Sequence, residues 1–206
     1  MSRLLNIIVA IGLAVGINAA SAQNVYPEGE KTPGDQTSAA KSHDDEETTA
    51  LLRVLNSSKV GMAQGIQQLT KGREAAISAK YELDDNKKLS LSVYTAEKGL
   101  GEDPEHNVLK EFSGSPEKAP WAPEAEVFKD IPHASRASGQ LTLMALAQHS
   151  LADFIAMAQK QHKGKVFSAI PEVQNHRPVL VVLVADKDKV SEVRYDLETG
   201  HVMAAK

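Results

Sequence analysis

Ala75-Ala76-Ile77-Ser78-Ala79-Lys80-Tyr81-Glu82-Leu83-Asp84-Asp85-Asn86-Lys87-Lys88-Leu89-Ser90-Leu91-Ser92-Val93-Tyr94 is the stretch that decides how this chain folds. Ala75, Ile77, Ala79, Tyr81 and Leu83 alternate with Ala76, Ser78, Lys80 and Glu82. That is period two, the mark of a strand with one face buried. Asp84-Asp85-Asn86-Lys87 is turn chemistry. Leu89, Leu91 and Val93 then alternate with Ser90, Ser92 and Tyr94, so a second strand returns as a hairpin.

Upstream of the hairpin, Ser57 or Ser58 is placed to cap a helix running to about Lys71. Val60, Ala63, Ile66 and Leu69 recur at intervals of three and form its apolar stripe. Lys71-Gly72 is a stop signal. Downstream, the polar loop Glu97 to His106 leads into an expected third strand from Asn107 to Phe112, ended by Ser113-Gly114-Ser115-Pro116.

The order is then written again. A helix is expected from about Leu141 to His162, with Leu143, Ala147, Leu151, Phe154, Ile155 and Ala158 as its stripe. Lys163-Gly164 repeats the stop. Lys165 to Val173 reads as a strand and Asn175-His176-Arg177 as a turn. Pro178 to Ala185 is continuously apolar, which predicts a central strand covered on both faces. Val190 to Leu197 is the third strand, closed by Thr199-Gly200, and His201-Val202-Met203 offers a short added edge. The expected fold is α+β, with two tandem units, each a helix plus a three-stranded antiparallel meander. The expected boundaries are 49–117 and 138–206, with 118–137 as a linker. A lone unit of about 60 residues has a marginal core, so the two are expected to pair.

The second copy resembles the PepSY domain family. The carrying stretch is Glu192-Val193-Arg194-Tyr195-Asp196-Leu197-Glu198-Thr199-Gly200-His201-Val202, an apolar-x-V-x-Y-D-x-x-T-G ending. The match covers roughly 141–203. The first copy, roughly 57–116, ends in Ser113-Gly114 and departs from that pattern. The resemblance implies an extracytoplasmic module that restrains proteases or binds other proteins, with no catalytic residue. It makes Tyr195, Asp196 and Gly200 candidate binding residues.

The N-terminus reads as an export signal. Arg3 follows the free amino terminus, Ile7 to Ile17 is apolar apart from Gly12 and Gly16, and Ala20-Ser21-Ala22 suits a signal peptidase. Cleavage is expected between Ala22 and Gln23. The apolar run is shorter than the roughly 20 residues that span a bilayer, so no membrane anchor is expected after cleavage. No Cys stands there to take a lipid. Residues 23–48, rich in Pro, Gly and acid and ending in His43-Asp44-Asp45-Glu46-Glu47, are expected to form a disordered acidic leader.

Removal of 22 of the 206 residues leaves 184, and loss of Arg3 takes the formal charge from −4 to −5. Mild acidity argues against nucleic acid, which wants a basic face. The absence of Cys rules out disulfides, Cys–zinc sites and thiol chemistry. With only 4% aromatic residues, the core must be Leu, Val, Ile and Ala.

No set of nucleophile, base and orienting group is legible, so the chain does not read as an enzyme. None of the seven His residues forms H-E-x-x-H or another close ligand pair, and no cofactor or metal is implied. Gly61-Met62-Ala63-Gln64-Gly65 is a G-x-x-x-G on the first helix, read either as close approach to the sheet or as simple tolerance. Trp121, between Pro120 and Pro123, is the only Trp. It is a candidate interface anchor, with coverage of the seam between the units as the other reading. The expected role is a periplasmic or secreted binding module for an envelope protein, a protease by resemblance. Its binding modes would be a strand edge or the concave sheet face. A periplasmic small-molecule or metal-binding protein is the alternative.

Overall fold

The computed structural model describes residues 37–203. The signal peptide, its cleavage point at Ala22 and Gln23, and residues 23–36 lie outside them. Helix α1 runs Thr37–Val54, so residues 37–48 of the expected leader are helical. Ala50-Leu51-Leu52-Arg53 is strongly helix-forming, and a helix once nucleated extends cheaply into its neighbours. The chain divides into two compact units, 1–50 and 51–206. The second carries the sheet.

Seven strands form that sheet: β1 Ala75–Leu83, β2 Leu89–Ala96, β3 Leu109–Gly114, β4 Glu124–Val127, β5 Lys165–Gln174, β6 Arg177–Asp186 and β7 Lys189–Asp196. Their order is β4-β3-β2-β1-β5-β6-β7, and every neighbouring pair is antiparallel. The α+β class is as expected. The expectation of two tandem three-stranded units is corrected, because the strands join into one sheet. Ala79 pairs with Ala169 and Lys80 with Ser168, which fuses β1 to β5. A seventh strand, β4, comes from the stretch expected to be linker.

The helices differ from expectation at identifiable caps. Ser57 does not start the helix after it: its Oγ donates to Val54 O at 2.8 Å, within the turn Leu55–Ser57 that closes α1. Helix α2, Met62–Leu69, begins instead after Gly61. The long helix expected over 141–162 is two helices, α3 Ile131–Ala145 and α4 Leu151–Gln161. Asp130 caps α3 by accepting from His133 N at 3.0 Å. Ser150 and Asp153 form a reciprocal capping box that starts α4 afresh.

Strand pairing sorts the sheet into two faces of opposite character. One cross-strand row reads Ala125, Phe112, Val93, Ala79, Ala169, Val182, Val193. This face packs against α2 and α4, and Phe154 and Ile155 of α4 are fully buried. The next row, on the other face, reads Glu124, Ser113, Ser92, Lys80, Ser168, Leu183, Glu192. Helix α3 lies on that side, where Ser78 Oγ donates to Gln140 Oε1 at 2.7 Å. The centre of the sheet is therefore covered by helices on both faces.

The apolar strand β6 is buried at Leu180, Val182 and Val184 towards α4, whereas Val181 and Leu183 on the other side are only partly covered. It stands next to the edge strand β7. The strand buried along its whole length is β2, with four hydroxyls, those of Ser90, Ser92, Tyr94 and Thr95, among its buried residues.

Candidate functional site

The polar sheet face beside α3 gathers more ionisable groups than its burial would suggest. Lys80 and Glu82 pair with each other on β1, and Ser92 Oγ donates to Glu82. Glu111 of β3 reaches the same Ser92. A serine hydroxyl has one proton and cannot donate to both carboxylates. Burial pushes the Glu111 carboxyl above its ordinary range, an effect that the Ser92 contact and Lys80 oppose and that the Glu82 charge reinforces. Ser92 gives its proton to Glu82, which leaves none for Glu111.

Tyr94 stands opposite Glu111 in the ladder and is 7% exposed. Burial, then the Glu111 charge, drives its hydroxyl strongly upward, against an opposing contact from Arg136. The Tyr94 ring meets Phe128 edge-on at 4.8 Å, and Phe128 stacks on His133 at 5.7 Å. His133 Nδ1 lies 2.7 Å from Asp130 Oδ1. Asp130 is held below the usual carboxylate range, first by the His133 backbone N–H and then by the His133 ring. The cluster sets two carboxylates, Glu82 and Glu111, around one serine hydroxyl. Its one serine hydroxyl, Ser92, lies on the Glu82 carboxylate, which is itself paired with Lys80.

The residues singled out from the sequence fall elsewhere. Trp121 is 5% exposed and its Nε1 donates to Gly114 O at 3.2 Å. Its ring covers Gly65 of α2, so it is an internal anchor and is not displayed to a partner. It does not cover a seam between two units. Tyr195 is fully buried, with its ring 5.1 Å from Phe154 and its hydroxyl without a hydrogen-bond partner. Asp196 accepts from Thr199 N at 3.0 Å and lies 3.7 Å from Arg177. Gly200 N donates to Asp196 O at 2.8 Å, and Gly200 has φ of +72°. The D-x-x-T-G ending is thus a self-bonded turn, and Gln148 N docks on it through Leu197 O at 3.0 Å.

A pocket between α2, β1 and α4, lined by Ile66, Thr70, Glu74, Leu100 and Leu151, measures about 150 Å³. Small-molecule sites run roughly 300–1,000 Å³. Asp103, Glu105 and His106 are close enough together to share an ion, but all three are exposed. Neither was signalled by the sequence.

Among the described residues, β4 has no outer partner and β7 has one along only part of its length. The hydrogen-bonding phase of each edge follows from one bond. Phe128 N donates to Leu109 O at 3.2 Å, so Glu126 and Glu124 bond inward to β3, and Ala125 and Val127 turn their N–H and C=O outward. On β7, Leu197 N donates to Pro178 O at 3.0 Å, which turns Val190, Glu192, Arg194 and Asp196 outward. The C-terminal tail covers half of that edge. Met203 N donates to Arg194 O at 2.7 Å, and Asp196 N donates to His201 O at 2.9 Å.

No family model matches the chain, and no curated protein matches it. Among solved structures, it is similar to a putative lipoprotein from Clostridium difficile, at 13% identity, over 71% of this chain and 92% of that one, with a TM-score of 0.37. At that score the likeness carries no argument about fold or role. Among the described residues, no helix is long and apolar enough to cross a membrane.

Proposed function

We propose that the chain is exported to the periplasm and acts there as a binding module, engaging an extended segment of an envelope protein at an open edge of its sheet. The observation that carries this is the pair of unpaired edges, at Ala125 and Val127 on β4 and at Val190 and Glu192 on β7. Strand addition to a free sheet edge is a standard way to bind a peptide. The PepSY resemblance of residues 141–203 is what names a protease as the partner to try first.

The test places a photo-crosslinking residue at Ala125 or at Val190 in the exported full chain. A discrete adduct with an envelope protein at one edge, absent when the label is at Ser113, is expected. A panel with no adduct at either edge overturns the reading. Mixing the purified chain with a thermolysin-like secreted protease tests the protease arm: slowed hydrolysis is expected, and an unchanged rate removes that partner.

A further inference from the structure

The β4 edge differs from the β7 edge in what it selects. All four β4 residues are exposed, and nothing among the described residues pairs with their outer side. Its side chains are strictly divided. Glu124 and Glu126 lie on the polar face, in line with Ser113 and Glu111. Ala125 and Val127 lie on the apolar face, in line with Phe112 and Lys110. Val127 is 45% exposed there, beyond the reach of the helices that cover the sheet's centre. The β7 edge carries mixed charge, and its Glu192 is already paired with Arg194.

We propose that β4 receives, as an eighth strand, an extended segment of another protein that alternates basic and apolar residues. This rests on the edge-binding reading above. An added strand must place its side chains in the same alternation, because cross-strand neighbours share a face. Residues beside Glu124 and Glu126 are then favoured when they are Lys or Arg, and residues beside Ala125 and Val127 when they are apolar. Glu124 and Glu126 are the outermost acids of this face, one strand beyond Glu111. A second copy of this chain is disfavoured in the registers centred on the first three residues of β4. Antiparallel self-pairing centred on Glu124, Ala125 or Glu126 always sets a glutamate against a glutamate, and like charges directly opposite destabilise a ladder.

The probe is a ten-residue peptide alternating Lys and Val, with one alternating Glu and Val as its counterpart. Binding to the full mature chain is read by fluorescence anisotropy. The Lys–Val peptide is expected to bind saturably, and more weakly as salt rises. Val127→Pro removes an outward N–H and leaves the bonds to β3 in place, so at least a tenfold loss of affinity is expected with an unchanged melting temperature. The double variant Glu124→Lys with Glu126→Lys, which tests the idea even if the proline variant misfolds, is expected to reverse the preference towards the Glu–Val peptide. Binding that survives both sets of changes, or no binding of either peptide, overturns the proposal. Loss with Val190→Pro and not with Val127→Pro moves the site to β7, which overturns the β4 assignment while leaving edge binding itself standing.

Discussion

Gly65 and Trp121 are in direct contact: a Cβ on Gly65 would lie 3.3 Å from the indole Cε3 and 2.7 Å from Leu91 Cδ2. The second glycine of the G-x-x-x-G therefore brings α2 down onto the sheet, which is one of the two readings the sequence left open. Gly61 has nothing within 4 Å and simply precedes the helix. Gly65→Ala gains about 1 kcal/mol of helix propensity but overpacks a buried contact at a cost of about 1–3 kcal/mol. Urea denaturation should show Gly65→Ala destabilised by about 1 kcal/mol and Gly61→Ala close to wild type. Equal effects at the two sites would refute the packing account.

Glu111 sets a slope on stability against pH. Its folded carboxyl holds a proton more tightly than the unfolded one. The folded state is therefore favoured at low pH, and that advantage declines as pH rises from the ordinary carboxylate range to the raised folded value. Glu111→Gln keeps the hydrogen bond to Ser92 and removes the titration. Chemical denaturation across acid to neutral pH should show the variant gaining on the wild type as pH rises. A constant difference between the two curves would argue that Glu111 is not the group responsible.

Gly200 is constrained twice. Its φ of +72° is left-handed, and a Cβ there would lie 2.8 Å from the His149 ring. The backbone strain of Gly200→Ala alone costs roughly 1–2 kcal/mol, and the clash with His149 adds to it. His149→Ala should recover part of the loss in a double-mutant cycle, because the two residues touch. Strict additivity would mean that the ring moves aside freely.

Ser150 starts α4 through its capping box, and Ser150→Ala should cost about 1 kcal/mol. Ser57→Ala, whose hydroxyl caps no following helix, should cost less. Thermal melts of the two variants side by side decide this.

The first hairpin was legible because it announces itself in period two, and the second because Pro178 to Ala185 is an unbroken apolar run beside turn residues. The turns at Asp84-Asp85-Asn86-Lys87 and Asn175-His176 are where the sequence puts them, and Lys87, Asn175 and His176 adopt positive φ there. The short pairing of His201-Val202-Met203 with β7 was also readable, as the bridge between Tyr195 and Val202 shows. What stayed hidden was whatever depends on contact at long range. Nothing in Ala79 or Ala169 announces that two small residues will pair and fuse two meanders into one sheet. Strand β4 is only four residues long, and its alternation of Glu with Ala and Val is too brief to separate from a linker. The break between α3 and α4 was in plain sight: Ser150-Leu151-Ala152-Asp153 is a capping signature inside a stretch whose apolar stripe continues across it. The polar cluster beside α3 left no local trace, because Lys80, Glu82, Ser92, Glu111 and His133 come from four elements and each reads alone as a solvated residue.

The fusion of β1 to β5 imposes an order of events on a chain made from its N-terminus. Strand β1, the middle of the finished sheet, is a raw edge until Ala169 arrives, 90 positions after its partner Ala79. Contacts so distant in sequence form late, and an unpaired strand waiting for them is a place where nascent chains stick to one another. Until then the hairpin of β1 and β2 must stay soluble with its Lys80 and Glu82 turned to water. The Lys80–Glu82 pair that later joins the polar cluster guards that hairpin first.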